Sequence, residues 1–306
     1  MTIDQTGMGG GRIRFGPAGW SYEDWGGIVY PRDKPAKFDQ LFYMSSYFDT
    51  VEINSTFYRP PSRQVAASWA RRVGHNRNFK FTVKLWQRFT HEQEPATINE
   101  ERIFKEGLEP LLEAGVFGCL LIQFPWSFKN HPHNRERLGE VFKRFEGCSR
   151  ALEVRHASWN VPPIYRFLKD QGVGFVNIDQ PLIGRSSRPT DKVTAPVGYI
   201  RLHGRNYQDW FREDAGRDAR YNYLYSEEEL KPWTERISHV SSQAPETYVI
   251  TNNHFRGQAV VNALQLKFML TGQKVNAPEL LVQHYPVLQN VVTEVDRRDE
   301  YTPRLF

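Results

Sequence analysis

Eight short apolar segments, separated by longer amphipathic stretches, constrain this chain more than any other feature. They are residues 13–20, 50–58, 79–86, 119–125, 151–156, 173–179, 198–204 and 248–253. A strand–helix–strand alternation builds a parallel sheet. Eight strands in 306 residues match an α/β (β/α)8 TIM barrel, which takes about 250 residues plus extras. The expectation is one domain over 13–289, with a flexible N-terminal tail (1–12) and a charged C-terminal tail (290–306) that frays.

Helix signals fall between the strands. Residues 35–48 open with Pro35 near the first turn, where a missing N–H costs nothing. Ser62 is a plain N-cap for 62–73, with Val65 stacked on Trp69 at i,i+4. Further helices are expected at 99–114, 134–145, 161–170 and 256–271. Ser226 with Glu229 forms a capping box for a helix through Ser241. Residues 181–196 hold turn formers and no helical period, so helix 6 is reduced or missing. Residues 205–225 form a long aromatic and charged loop, a length that often marks binding loops.

Composition removes several classes. No run reaches the roughly 18 apolar residues of a membrane span. Cys119 and Cys148 are the only cysteines and share no metal-binding or disulfide spacing, which fits a reducing cytoplasmic setting. The net charge of +5 suits an anionic ligand without demanding one. Aromatic residues reach 14%, more than a core alone needs.

Parity along the strands gives the site. Residues i and i+2 of a strand share a face. Val51, Ile53, Val83, Leu85, Leu152, Val154, Val176, Ile178, Ile200 and Leu202 are apolar and should face the helices. Glu52, Asn54, Lys84, Glu153, Arg155, Asp179, Arg201 and His203 alternate with them and should face the barrel interior, with Asn177 beside Asp179. These residues lie toward the C-terminal strand ends, the face that carries barrel active sites. Gln123 joins from the fourth strand. Asn252, Asn253 and His254 end the eighth, with no rule to say which points inward.

Three acids and three bases in this set could simply satisfy one another. Buried ion networks add little net stability, so a ligand site is the stronger reading. Glu52, Glu153, Asp179, His203 and His254 are chemically able to bind a metal, but three cations among them oppose a divalent ion. No metal or other cofactor is expected, and His91, His131 and His133 receive no role. Residues 252–263 end a strand in amides and turn at Gly257 into a helix, whose free N–H groups attract anions. Arg201 and Arg256 nearby favour phosphate or carboxylate. Trp20, Tyr22, Trp25, Phe57 and Tyr58 follow the first two strands and form an aromatic wall for the mouth.

The blocks GPAGWSYEDW, FDTVEINSTFYRPP, FKFTVK, LLIQFPWSF, LEVRHASW, YIRLHG and NNHFRGQAVVNA occur in the order of the YecE-like family, which this chain resembles from about residue 13 to 288. The resemblance implies a TIM barrel and names no reaction, since the family's domain is of unknown function. It implies motif positions at Tyr22, Trp25, Glu52, Asn54, Phe57, Tyr58, Lys84, Gln123, Glu153, Arg155, His156, Trp159, Arg201, His203, Gly204 and Asn253. Asp179 stands on the strand pattern alone.

The expected function is acid/base chemistry of hydrolase type on a small anionic, phosphate-bearing substrate. Glu52 and Glu153 would be the acid and base, and His203 the proton shuttle. Lys84, Arg155 and Arg201 would hold the anion, with Arg201 a ligand anchor rather than only a partner for an acid. Two alternatives stay open: a non-catalytic nucleic-acid binder, and a metal-dependent phosphodiesterase or nuclease.

Overall fold

The alternation of short and long segments folds into a parallel sheet curled almost into a ring. The computed structural model describes residues 10–34, 36–210, 212 and 219–296. Its eight parallel strands are β1 (Arg12–Pro17), β2 (Thr50–Ile53), β3 (Lys80–Lys84), β4 (Phe117–Gln123), β5 (Arg150–Glu153), β6 (Gly174–Asp179), β7 (Val197–Leu202) and β8 (Glu246–Thr251). Their order is β1-β8-β7-β6-β5-β4-β3-β2. The seam between β1 and β2 is a single bridge, Ala18 to Glu52, where the Gly19 N–H donates to the Glu52 carbonyl at 2.9 Å. Gly16 permits that approach: a Cβ there would stand 1.8 Å from the Thr50 carbonyl oxygen.

Helices lie between the strands, as the (β/α)8 pattern requires. Those at Arg63–Val73, Ile98–Glu113 and Glu227–Ser241 start where their caps dictate. Ser62 accepts from the Val65 N–H, and Thr97/Glu100 and Ser226/Glu229 are complete capping boxes. Pro132–Arg144, Pro162–Asp170 and Gln258–Thr271 complete the main set. The helix expected over 35–48 is shorter, Gln40–Ser45. The Asp39 carboxylate accepts from the Leu41 and Phe42 N–H groups and so sets a later start; Pro35 lies outside the described residues. A short helix, Gln87–Thr90, follows β3 without a sequence signal long enough to announce it. Between β6 and β7 residues 180–196 form no helix, as the turn-rich composition requires.

The C-terminal segment departs from expectation. Val292–Asp296 (β10) pairs in parallel with Val275–Pro278 (β9), and Val291 and Val292 are buried. Their apolar side chains tie down a segment that charge content alone marks as loose. Residues 1–9 and 297–306, which carry most of the two expected tails, lie outside the described residues.

One apolar layer fills the space between strands and helices, and another fills the barrel with Ala18, Cys119, Leu121, Ala151, Val176 and Tyr199 among others. Paired residues of a parallel ladder share a face. Glu52 pairs with Thr82, Lys84 with Leu121, Gln123 with Glu153, and Ile178 with Arg201. Glu52, Lys84, Gln123, Glu153 and Arg201 therefore point inward.

At β6 the parity expectation is wrong. Val176 and Ile178 belong to the barrel filling, while Asn177 and Asp179 point outward. No helix covers β6 toward β7, so the chain itself lies there. Asn177 accepts from Thr190 Oγ1 and the Lys192 N–H, both at 2.7 Å. Asn177 is satisfied by the loop on that outer face, and the usual rule of an apolar outer face lapses.

Candidate functional site

The short inward strand ends bring their polar residues into one network at the C-terminal mouth. Arg201 is its hub. Its Nε lies 2.9 Å and its Nη2 2.5 Å from the two Glu52 oxygens, and its Nη1 2.6 Å from Glu153 Oε2. Tyr199 donates to Glu52 at 2.8 Å from below. Glu153 Oε1 accepts from Arg155 Nε at 3.0 Å. All but Arg155 are buried. Burial alone would raise Glu153, but Arg201, His203 and Arg155 outweigh it and hold the carboxylate well below its ordinary range.

His203 Nε2 lies 3.1 Å from the same Glu153 oxygen. Its Nδ1 lies 3.0 Å from Asn252 Nδ2. An amide nitrogen only donates, so Nδ1 accepts and the ring proton sits on Nε2, facing Glu153. Burial, with Arg155 and Arg201, brings the imidazole down to about 3 against the upward pull of Glu153. His203 is therefore a neutral ring at physiological pH, which does not suit the proton-shuttle role expected from sequence.

Above this network opens a cavity of about 760 Å³. Tyr22, Asn54, Tyr58, Lys84, Gln123, Arg155 and Arg201 line it; Glu52, Glu153 and His203 lie buried beneath. Lys84 Nζ sits 3.9 Å from the Phe57 ring centroid. Burial first, then Arg201 and Arg155, lowers its pKa to about 7 against Glu153 and Glu52. The Arg155 guanidinium lies 5.7 Å from the Trp210 ring centroid. Gln123 donates to the Phe124 carbonyl at 2.8 Å, and Asn54 Oδ1 is buried without a hydrogen-bond partner. Tyr22 stacks on His254 at 4.3 Å between centroids. Tyr58 stands 55% exposed at the rim.

Five expected residues are not gathered there. Asp179 accepts from Arg205 and, at 2.7 Å, from Trp233 Nε1 on the outside of the barrel. Trp25 and Trp159 are fully buried, their indoles bonded to the carbonyls of His254 and Phe128. His156 caps the turn at Ala157–Trp159 through the Ser158 N–H. Asn253 donates to Asn262 Oδ1 at 2.7 Å, pinning the helix Gln258–Thr271. The anion position expected near Arg256 is taken by Asp24, whose carboxylate accepts from the Arg256 N–H at 2.5 Å. These are packing and capping roles that motif position alone does not separate from ligand contact.

Several cavity residues escaped sequence reasoning. His91 packs on Phe57 at 4.8 Å, and burial with Lys84 and Arg155 lowers it to about 4. It sits after a short helix, where no periodicity points to a site. Asn252 follows Tyr248 and Ile250 at strand spacing, so parity with those inward residues would have found it. Trp126, Trp210 and Tyr221 come from loops. Among the described residues no group of three or more His, Cys, Asp or Glu is placed to hold a metal ion, and no helix is long and apolar enough to cross a membrane.

Comparison with known proteins places this architecture. The chain is 31% identical over 272 residues to the UPF0759 protein YunF of Bacillus subtilis (strain 168), an alignment covering 84% of this chain and 94% of that one. The crystal structure of a DUF72 family protein from Thermotoga maritima MSB8 superposes with a TM-score of 0.76 at 36% identity, covering 84% of this chain and 98% of that one. A second, from Enterococcus faecalis V583, gives 0.74 at 27% identity, covering 84% and 95%. The family model described as "Protein of unknown function DUF72" matches residues 14–284, and the chain belongs to that family.

Proposed function

We propose that the barrel mouth binds an anionic, phosphate-bearing small molecule and performs acid/base chemistry on it. The carrying observation is the uneven division of charge. Lys84, Arg155 and Arg201 line the cavity, while Glu52 and Glu153 lie beneath with their oxygens given to arginine. The floor a ligand meets is therefore positive. Among the described residues Arg155 makes one ion pair, at 3.0 Å through Nε, and its side chain is 17% exposed; its guanidinium carries further N–H donors that suit an anion. Arg201 spends three donors on the two glutamates and acts mainly by holding the network.

Proton transfer falls to Lys84. The arginines hold Glu153 ionised, and His203 stays neutral. Lys84 exchanges its proton near pH 7, where a general acid or base works best. A hydrolytic reaction is the simplest use, with Arg155 holding the anion. The aromatic lining from Trp20, Phe57, Tyr58 and Trp126 supplies flat surfaces for the rest of the molecule. The same surfaces support a second reading, capture of a single-stranded nucleic-acid end by stacking. The ordered blocks resembling the YecE-like family contribute Lys84, Gln123, Glu153, Arg155 and Arg201 to this site. The two free thiols, Cys119 and Cys148, support a cytoplasmic setting.

Inorganic phosphate should raise the melting temperature of the protein, as any ligand preferring the folded state does. It should raise that of Arg155→Met much less. Equal stabilisation of both, or none in either, rejects the anion site. A short oligonucleotide binding far more tightly than phosphate, with steep salt dependence and no turnover, would favour the second reading.

A further inference from the structure

We propose that Lys84 is a carbonyl-capturing amine, forming an imine with an aldehyde or ketone group on the anionic molecule that enters the cavity. This rests on the anion-site reading and adds a second functional group to the substrate.

Placement carries the argument. Lys84 is the last residue of β3 and lines the cavity. Thr56 Oγ1 donates to its backbone carbonyl at 2.6 Å, which fixes the strand end and aims the side chain. The acids of the neighbouring network do not claim its Nζ: Glu52 pairs with Arg201, and Glu153 with Arg201 and Arg155. Among the described residues, the amine lies over an aromatic face, Phe57, at 3.9 Å. A lysine held off from carboxylates, against a ring and beside two guanidinium groups, sits where its ammonium form is penalised.

Among the described residues, the charged and titratable groups around it are Glu52 from β2, Glu153 and Arg155 from the end of β5, Arg201 from β7, and His91 beyond the Phe57 ring. Burial and the two arginines outweigh the two glutamates, so a large share of the amine is unprotonated at pH 7. Compared with a surface lysine near 10.4, the reactive fraction at pH 7 is about 10³-fold larger.

The step balances without an oxidant or reductant. The nitrogen lone pair attacks the carbonyl carbon, and the C=O π pair moves to oxygen. Both amine protons transfer to that oxygen, the C–O bond breaks, and water leaves as the C=N bond forms. A proton from solvent then makes the iminium, which draws electrons from the adjacent carbon. Arg155 lies on the same floor to hold the substrate anion while this occurs.

Pyridoxal 5′-phosphate is a suitable probe, since it joins a planar ring, an aldehyde and a phosphate. The full chain is incubated with it at pH 7, reduced with sodium borohydride, and mapped by peptide mass spectrometry. One adduct per chain is expected, at Lys84, with a labelling rate that rises through pH 7 rather than pH 10. Pyridoxal without its phosphate should label Lys84 at least tenfold less, and inorganic phosphate should protect it. Lys84→Arg keeps the cation; its melting temperature reports folding, and the adduct should vanish. If phosphate raises the melting temperature but Lys84 stays unmodified while other lysines are labelled, the imine is rejected and the anion site survives. If Lys84 is labelled equally by pyridoxal and phosphate gives no protection, its link to an anionic substrate is rejected. If phosphate neither stabilises nor protects and Lys84 is unmodified, both readings fall.

Discussion

Two charged clusters at the same end of this barrel have similar composition and opposite roles. Inside, Arg155 and Arg201 line the mouth with Lys84 beside them, over Glu52 and Glu153 buried beneath. Outside, Asp179 and Glu229 hold Arg205, with Trp233 closing the group. The outer cluster is closed. Asp179 accepts from Arg205 and Trp233, and Glu229 also completes a helix cap. The inner cluster satisfies its acids but leaves cationic surface facing a cavity. A buried charge thus marks a site only when its counter-charges do not cancel at the surface that a ligand can reach.

The sharpest way to break this comparison is to remove each hub. Arg201→Met strips partners from two buried glutamates and should cost about 3–5 kcal/mol by chemical denaturation. A loss below about 1 kcal/mol would mean that the inner network is not held by Arg201. Asp179→Asn removes the charge of a buried acid paired with the partly exposed Arg205 and should cost about 1.5–3 kcal/mol. Its phosphate-induced thermal shift should match that of the unaltered protein. A lost phosphate response would place the ligand on the outer side.

Acid titration separates the clusters further. His203 is depressed to about 3 in the folded protein against about 6.5 in an unfolded chain. The unfolded state therefore takes the proton first. Stability present above pH 6.5 is lost as the pH falls toward 3, at up to about 1.4 kcal/mol per pH unit. Denaturation midpoints between pH 4.5 and 6.5 should show this slope together with the shares of His91, lowered to about 4, and of His75 and His156, also lowered by burial. His203→Gln should remove up to about 1.4 kcal/mol per pH unit of it. An unchanged slope in that variant would assign it to other groups.

The smallest expected effect is at Lys84. Its ammonium is disfavoured in the fold, so Lys84→Met should be neutral or raise the melting temperature by about 2 °C at pH 6, while abolishing most of the phosphate response. Marked destabilisation would make Lys84 a structural partner of the glutamates instead.

Much of the site was legible along the chain. Alternation at Glu52, Lys84, Glu153, Arg201 and His203 correctly put these residues inside, because a strand permits only two faces and helices cover the outer one. The rule broke on β6, where the β6–β7 loop meets Asn177 and where Arg205 and Trp233, the latter from the helix Glu227–Ser241, meet Asp179 on the outer face. Motif position brought in Trp25, His156, Trp159 and Asn253, which cap and pack rather than line the cavity. His91, Trp126, Trp210 and Tyr221 carried no periodic signal, since loops and a one-turn helix place them.

By itself, then, the sequence determined the eight barrel strands, the helix starts capped by Ser62 and Ser226 and the inward polar residues of most strands, because these follow from local periodicity and backbone hydrogen bonding. Only the tertiary structure decided how those charges pair. Which guanidinium takes which carboxylate depends on distances across the barrel between residues such as Glu52 and Arg201, 149 positions apart. That pairing leaves Lys84 on the Phe57 ring and Arg155 at the cavity, because both carboxylates are already held by Arg201 beneath them.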